Sequence, residues 1–214
     1  MSYTLTALSA ALPLASGWSV HSLWMRRRIE TARRDPLTGL WTRDPFEGRA
    51  RKTLARGCQL AVLVLDLNRF KEINDTLGHA AGDAVIRATG QRLGRWAEEH
   101  AGVAGRLGGD EFAAVIPGCG IDKLGADLHA LTARLDRPVP FDGRSVEVHA
   151  SIGAAYYRAG AGELSTLLRR ADEQMYRAKQ RGGGWRIAQR LTVPEMRTVN
   201  GRRAGRRGTG GEAA

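Results

Sequence analysis

The sequence predicts an α/β domain in which helices flank a central mixed β-sheet. Apolar runs typical of strands alternate with helical segments, and a tight Gly-Gly turn joins two of the runs directly. Alternation favours α/β layers, whereas two strands joined by a two-residue turn are antiparallel, so the sheet must be mixed. An apolar fraction of 43% in 214 residues is sufficient for the core of one such domain with flanking segments.

Four strands are predicted from apolar and β-branched residues. Leu60–Leu65 is an unbroken apolar run, which indicates a strand that is buried on both faces. Two further runs meet at Gly108-Gly109, a dipeptide suited to a hairpin turn. These two strands, and a last one that is broken at Gly153, are predicted at residues 103–107, 111–116 and 146–155.

Four helices are predicted between and after these strands, at residues 45–56, 80–96, 121–135 and 164–181. The last of them is ended by Gly182-Gly183-Gly184, because glycine favours the conformation that terminates a helix. The core face of the second helix is formed by Val85, Ile86, Leu93 and Trp96. Three aromatic residues are predicted to lie in the core rather than to stack on a ligand: Trp96, Phe112 and Tyr176.

The basic excess of the chain lies at its two ends. The formal net charge is +11, of which residues 26–34 contribute +4 and the residues after Gly184 contribute +5. Residues 35–184 carry only +2, so the central domain is nearly neutral. A nucleic-acid partner is therefore not predicted, because polyanion binding requires a basic surface on the domain itself.

The N-terminal segment, residues 1–25, contains no Lys, Arg, Asp or Glu, and Arg26-Arg27-Arg28 follows at once. It is long enough to span a bilayer, with the arginines holding the following domain on the cytoplasmic side of the cell membrane. The alternative is an amphipathic or dimer-forming helix, because Pro13 and several Ser and Thr residues lower the apolar character of the segment.

The remaining chain divides into a basic connecting helix, a domain and a basic disordered tail, at residues 26–34, 35–187 and 188–214. Cys58 and Cys119 have no metal-binding spacing and no histidine nearby. They are predicted to be ordinary buried thiols in a reducing compartment.

Acidic side chains are placed where predicted strands reach the surface. Asp66 directly follows the run 60–65, and Asp110 and Glu111 follow the Gly-Gly turn, which can bring carboxylates close to the end of another strand. Oxygen ligands on neighbouring strands suit Mg²⁺, which one or two carboxylates hold together with substrate phosphates. Each position taken alone is equally consistent with a solvated surface carboxylate.

Residues 106–112 read Arg-Leu-Gly-Gly-Asp-Glu-Phe, which resembles the signature of the GGDEF family of diguanylate cyclases. Five further segments resemble the family in order and spacing, at residues 35–43, 66–75, 77–83, 151–153 and 171–179. The resemblance covers residues 35–187 and implies a nucleotidyl cyclase, or polymerase-palm, fold. It also implies that two GTP molecules are joined into cyclic di-GMP with release of pyrophosphate.

The resemblance implies two Mg²⁺ or Mn²⁺ ions in each active site. Their ligands would be the carboxylates of Asp66, Asp110 and Glu111 and the backbone carbonyl of Leu67, although Glu111 could equally orient the turn. Asp110 would also accept the proton of the attacking 3′-hydroxyl, unless polarisation by the metal suffices. Lys71 would neutralise charge that builds up on the phosphates in the transition state.

The nucleotide contacts implied by the resemblance involve four further side chains. Asn74 and Asp83 would bind guanine, His79 would contribute to the same pocket, and Lys179 would contact phosphate. Three of the four also have a simpler interpretation. Asn74 could cap the following helix, His79 could be a turn residue, and the lysine could be a solvated charge.

Three departures from the family pattern stand out. Asn68 replaces a second aspartate, Gly182–Gly184 replaces a Gly-Arg-Asn segment, and Glu99–Gly102 replaces the Arg-x-x-Asp product-inhibition site of many relatives. We therefore expect no feedback inhibition by cyclic di-GMP at residues 99–102.

The product requires two mutual attacks, so two domains must face each other as a two-fold homodimer at least during catalysis. Residues 1–34 are the natural place for dimer control. The alternative to a cyclase is a non-catalytic module that binds GTP or cyclic di-GMP, and the retained Asp66, Asp110 and Glu111 favour the enzyme. A basic membrane-associated adaptor would explain the flanks but none of the central motifs.

Overall fold

The structure is a computed structural model that describes residues 33–56, 59–118, 120–158 and 162–188. The helices in these ranges are α1 (Arg43–Ala55), α2 (Phe70–Leu77), α3 (His79–Glu99), α4 (Ile121–Leu135) and α5 (Leu164–Lys179). The strands are β1 (Leu60–Leu67), β2 (Val103–Gly108), β3 (Glu111–Pro117), β4 (Val139–Phe141), β5 (Arg144–Val146), β6 (Ala150–Tyr157) and β7 (Gly184–Ile187).

The central sheet has five strands in the order β2-β3-β1-β6-β7. Strands β6 and β7 are parallel, and the other neighbouring pairs are antiparallel. Strands β4 and β5 form a separate two-stranded hairpin. The predicted mixed sheet flanked by helices is therefore confirmed.

The middle strand, β1, is buried along its whole length because helices cover both faces of the sheet. Its residues Ala61, Leu63, Leu65 and Leu67 belong to the core cluster that includes the buried faces of α3 and α4. Its residues Leu60, Val62 and Val64 belong to the cluster that includes α1 and α5. This arrangement explains the unbroken apolar run, and the same alternation directs Asp66 to the α1/α5 face.

The predicted core residues are largely confirmed. Val85, Ile86, Leu93, Trp96 and Phe112 are all buried. The prediction for Tyr176 is wrong, because its side chain is 59% exposed. The buried face of α5 follows the helical period through Leu164, Leu167, Ala171, Gln174, Met175 and Ala178, and position 176 falls outside that face.

The predicted break at Gly153 is also wrong, since Gly153 lies within β6 and the interruption falls at residues 147–149. A Cβ atom at Gly153 would lie 1.9 Å from the carbonyl oxygen of Ala171 and 2.2 Å from the backbone nitrogen of Met175. Glycine is thus required here because the backbone of α5 packs directly on β6.

Other elements differ from prediction in their bounds. Strand β1 extends through Asp66 to Leu67, so Asp66 lies within the strand rather than after it. Helix α5 ends at Lys179, two residues before the predicted end. The predicted glycine terminator is confirmed, because Gly182, with φ of 93°, and Gly183 donate from their backbone nitrogens to the carbonyl oxygens of Lys179 and Ala178 before β7 begins. The short elements α2, β4 and β7 were not predicted.

Several predicted features lie outside the described residues: the segment 1–25, residues 26–32 of the connecting helix, Cys58, Cys119 and the tail from residue 189. The last two residues of the predicted connecting helix are described and are not helical. Arg34 forms an isolated antiparallel bridge with Trp41. None of the helices in the described ranges has the length and apolar character needed to cross a bilayer.

We expect Gly153→Ala to destabilise the domain by about 3 kcal/mol, because the added methyl group forces α5 away from β6. Gly48→Ala is the matched control. No atom lies within 4 Å of a Cβ at that position, which is in α1, and alanine should stabilise the helix by up to about 1 kcal/mol. Urea unfolding of both variants would measure the difference, and equal midpoints would contradict the close packing of α5.

Candidate active site

Three polar side chains lie in a row across the three middle strands, near the end of the sheet at which β1 finishes. In the antiparallel pairing, Asp66 of β1 is opposite Glu111 of β3 on one side and Ser151 of β6 on the other. Residues that are directly opposite each other project to the same face of a sheet. Asp66 is only 8% exposed, so its carboxylate lies largely inside the protein. The predicted proximity of Asp66 to the signature carboxylates is confirmed.

The signature turn between β2 and β3 depends on its two glycines. Gly108 has φ of 153° and Gly109 has φ of 49°, and the strand register shifts between Arg106 and Gly108. A residue with a side chain would be strained at Gly109. This irregular hairpin places Asp110 immediately before Glu111 at the start of β3.

Arg106 fastens the turn to the opening segment of the domain. Its Nε and Nη2 donate to the carbonyl oxygen of Gly109 at 2.9 and 2.7 Å, and its Nη1 donates to Asp35 Oδ2 at 3.0 Å. Asp35 Oδ1 also accepts from the backbone nitrogen and the hydroxyl of Thr38. Burial opposes ionisation of Asp35, but the hydrogen bonds from Thr38 and the charge of Arg106 hold its pKa below the usual value.

Asp110 and Asp66 are close enough for their charges to interact. Burial raises the pKa of Asp110 above its usual value, and the negative charge of Asp66 raises it further. Lys179 and Arg106 lower the pKa of Asp110 only in part. Two carboxylates that repel each other in a partly buried site favour a cation between them.

Two basic side chains contact the acidic row. Lys179 Nζ, at the end of α5, donates to Asp66 Oδ1 at 2.5 Å. Arg43 is at the start of α1. Its Nη2 lies 3.7 Å from Glu111 Oε2, and its Nε donates to the carbonyl oxygen of Leu107 at 3.3 Å. Lys179 was expected at a phosphate, whereas the structure pairs it with a predicted metal ligand.

The donor set fits a magnesium site that is completed by the substrate. Within the described part of the chain, no three His, Cys, Asp or Glu side chains are grouped to hold a metal ion by themselves. Mg²⁺ in phosphate-transfer sites is bound by one or two carboxylates together with substrate phosphates, and Asp66 and Asp110 provide that number. In the structure, the ammonium group of Lys179 lies at Asp66 and provides a positive charge there.

The predicted guanine-binding residues lie around the junction of α2 and α3. Gly78, with φ of 83°, separates α2 from α3. Asn74 lies inside α2 and no side chain caps α3, so the capping interpretation of Asn74 is wrong. A Cβ atom at Gly82 would lie 2.0 Å from Asn74 Oδ1. The Asn74 amide therefore packs directly on α3 at Gly82, the residue that precedes Asp83.

Lys71, which was predicted to be catalytic, and the predicted substrate-binding residues His79 and Asp83 are exposed. Lys71 is in the first turn of α2, His79 is the first residue of α3, and Asp83 follows one turn later. Their positions are compatible with a nucleotide that binds from solvent, and their contacts with it stay predictions.

Two of the departures from the family pattern contact each other. Ser151 Oγ donates to Asn68 Oδ1 at 2.7 Å, and Asn68 Nδ2 is buried without a hydrogen-bond partner among the described residues. A Cβ atom at Gly183 would lie 2.6 Å from that nitrogen. Glycine at position 183 therefore leaves room for the Asn68 amide. Sequence inspection identified both departures but gave no signal that they meet.

At the third departure, residues 99–102, the side chain of Glu99 forms an ion pair with Arg134. Glu99 accepts two hydrogen bonds from Arg134, at 2.8 and 2.9 Å, so an acidic side chain engaged with α4 occupies the position of the expected arginine. The absence of product inhibition at residues 99–102 stays a prediction.

Comparison with known proteins identifies the class to which this fold and site belong. The family model described as "Diguanylate cyclase, GGDEF domain" matches residues 32–184. The chain therefore belongs to the GGDEF-domain family of diguanylate cyclases.

Among its relatives, an uncharacterized 19.3 kDa protein in the repSA 5′ region of Streptomyces ambofaciens is 46% identical over 79% of this chain and 90% of its own length. Diguanylate cyclase TpbB of Pseudomonas aeruginosa is 40% identical over 77% of this chain, which spans only 39% of TpbB. The coiled coil and GGDEF domain of DgcB from Caulobacter crescentus, solved with c-di-GMP, superposes with a TM-score of 0.75. That match has 26% identity and covers 85% of this chain and 99% of the other.

The raised pKa of Asp110 predicts that Asp110→Asn stabilises the metal-free domain at neutral pH. Because the folded state binds the Asp110 proton more tightly than the unfolded state, the stability of the wild type falls as pH rises from about 4 through the raised pKa. We expect a gain of up to about 1 kcal/mol at neutral pH that disappears under acid conditions.

Urea unfolding with a chelator, repeated from acid to neutral pH, measures this difference. Asp122→Asn, at an exposed position in the first turn of α4, is the control. A variant Asp110→Asn that is less stable than the wild type at every pH would contradict the repulsion between Asp66 and Asp110.

Proposed function

We propose that this chain is an active diguanylate cyclase that condenses two GTP molecules into cyclic di-GMP and releases pyrophosphate. The observation that carries the proposal is the acidic site in which Asp66, opposite Glu111 in the sheet, lies close to Asp110 of the signature turn, where burial and then the charge of Asp66 raise the pKa of Asp110. A structural role would not require two like charges in a partly buried position. Membership of the family and the cyclase names of its relatives support the same conclusion.

The proposed metal ligands are Asp66, Asp110, Glu111 and the backbone carbonyl of Leu67, with two Mg²⁺ or Mn²⁺ ions in each site. Bound metal would neutralise phosphate charge and acidify the attacking 3′-hydroxyl. Asp110 is also the proposed acceptor of the hydroxyl proton, but because a metal-bound carboxylate is a poor base, polarisation of the hydroxyl by the metal would contribute more. Glu111 is half-exposed and paired with Arg43, so it would act at the edge of the site.

The remaining proposed contacts hold the substrate. Lys71 and Lys179 would donate to phosphate oxygens, where their charge offsets the charge that develops during transfer. Asn74 would bind guanine through both atoms of its amide, and Asp83 would accept from the ring N–H and the amino group. The packing of Asn74 on Gly82 supports this assignment, because it holds the amide beside α3 and so near Asp83.

The reaction requires two copies of the domain. Each site would hold one GTP, whose 3′-hydroxyl attacks the α-phosphate of the other, so the two sites must face each other across a two-fold axis. A single domain cannot complete both bonds, and we therefore include a transient homodimer in the proposal.

A non-catalytic module that binds GTP or cyclic di-GMP is the second candidate. The pairing of Asp66 with Lys179 and of Glu111 with Arg43 favours it, since both acidic side chains already have basic partners. The two candidates differ in one observable: only the enzyme converts GTP.

Purified protein incubated with GTP and Mg²⁺ should yield cyclic di-GMP, identified by chromatography and mass. Asp110→Ala should lower the rate by at least about a hundredfold, because it removes a metal ligand and the proposed proton acceptor together. Asp122→Ala removes an equal charge from the exposed start of α4 and should retain wild-type activity. A wild-type protein that binds GTP but forms no product would establish the binding module instead.

Dimer dependence predicts a rate that is not proportional to enzyme concentration. On dilution below the dimer dissociation constant, the initial rate should fall with the square of the concentration, because active species form from pairs. Initial rates over a hundredfold dilution series, about two decades, would show this. Constant specific activity across a series in which sedimentation shows only monomer would refute the two-fold requirement.

A further inference from the structure

The ion pair between Lys179 and Asp66 joins a buried carboxylate to an accessible ammonium group. The Asp66 side chain is 11% exposed and the Lys179 side chain is 44% exposed. Lys179 is the last residue of α5, and its ammonium donates to Asp66 Oδ1 at 2.5 Å while the lysine side chain stays partly in contact with solvent. The lysine side chain can therefore leave the carboxylate by rotation about its own bonds, without any change in the backbone.

The position of this ammonium group excludes a metal ion from the same carboxylate oxygen. A divalent cation bound at Asp66 would lie within a few ångströms of the lysine charge, and like charges at that distance repel. Removal of the lysine alone would leave Asp66 and Asp110 with only the more distant charge of Arg106 to offset them, which is unfavourable because the two carboxylates already repel each other. We therefore expect the lysine, which contacts Asp66 Oδ1, and a metal ion to compete for this carboxylate.

We propose that Lys179 is a built-in counter-ion that occupies Asp66 until the nucleotide arrives, so that metal binding depends on nucleotide binding. This inference rests on the proposed function, since it assumes that Asp66 binds a metal and that the site binds a triphosphate. The phosphates give the ammonium group a second anionic partner, and its transfer to them frees Asp66. By linkage, each ligand then raises the affinity for the other.

The test is the binding of Mn²⁺ alone, measured by calorimetry on the full chain without nucleotide. Lys179→Met should bind Mn²⁺ about tenfold more tightly than the wild type, because it removes the competing cation. Lys179→Gln should show the same direction. Lys52→Met removes an equal charge from the exposed face of α1 and should stay within about twofold of the wild type.

A second measurement separates competition from a general structural effect. In the presence of Mn²⁺, Lys179→Met should bind a non-cyclising GTP analogue more weakly, since the phosphates lose a cationic partner. Damage to the site would weaken the binding of both Mn²⁺ and the GTP analogue. Loss of the competing lysine would instead strengthen the binding of Mn²⁺ and weaken the binding of the analogue.

The inference is overturned if Lys179→Met binds Mn²⁺ no more tightly than the wild type, including the case in which neither binds it detectably. Failure of the proposed function is a separate result, because it would be measured as the absence of cyclic di-GMP formation by the wild-type protein. If the wild type forms cyclic di-GMP but Lys179→Met gains no affinity for Mn²⁺, the proposed cyclase activity stands and only the role of Lys179 as a counter-ion is contradicted.

Discussion

The register of β1 against its two neighbours is the constraint on which the site depends. Asp66 is opposite Glu111 and Ser151 only in this register, and a slip of one residue would turn its side chain to the α3/α4 face. The register is held by apolar rows on both faces of β1, each packed against its own pair of helices. The packing of the core thereby determines the position of the Asp66 carboxylate. The geometry of the site depends on this packing and not on the signature turn alone.

The same arrangement concentrates negative charge, and nearby basic groups from other elements offset it. Lys179 comes from α5, Arg43 from α1 and Arg106 from β2, so the elements on the α1/α5 face of the sheet are connected through the site. Burial of like charges costs stability, as the raised pKa of Asp110 indicates. This cost is consistent with the proposed binding of cations and phosphates, because a purely structural position would be more stable with neutral side chains.

The sequence predicted the features that depend on local pattern. The apolar run of β1, the Gly-Gly hairpin and the core face of α3 are properties of contiguous residues, and the structure confirms them. It did not predict that Gly153 supports close packing of α5, or that Tyr176 lies outside the buried face. Contacts between distant segments, such as Asn68 with Gly183 and Lys179 with Asp66, depend on tertiary packing that no short window contains. The site residues followed from the family resemblance, whereas their pairing required the structure.

The central claim is that Asp66 and Asp110 together bind divalent metal around the triphosphate of a bound nucleotide. The most direct measurement is a crystal structure with Mn²⁺ and a non-cyclising GTP analogue, in which anomalous scattering locates the metal. The account predicts a peak that is coordinated by both carboxylates and by phosphate oxygens, with Lys179 moved from Asp66 to phosphate. A nucleotide bound with no metal at either carboxylate, and with the Lys179–Asp66 pair intact, would contradict it.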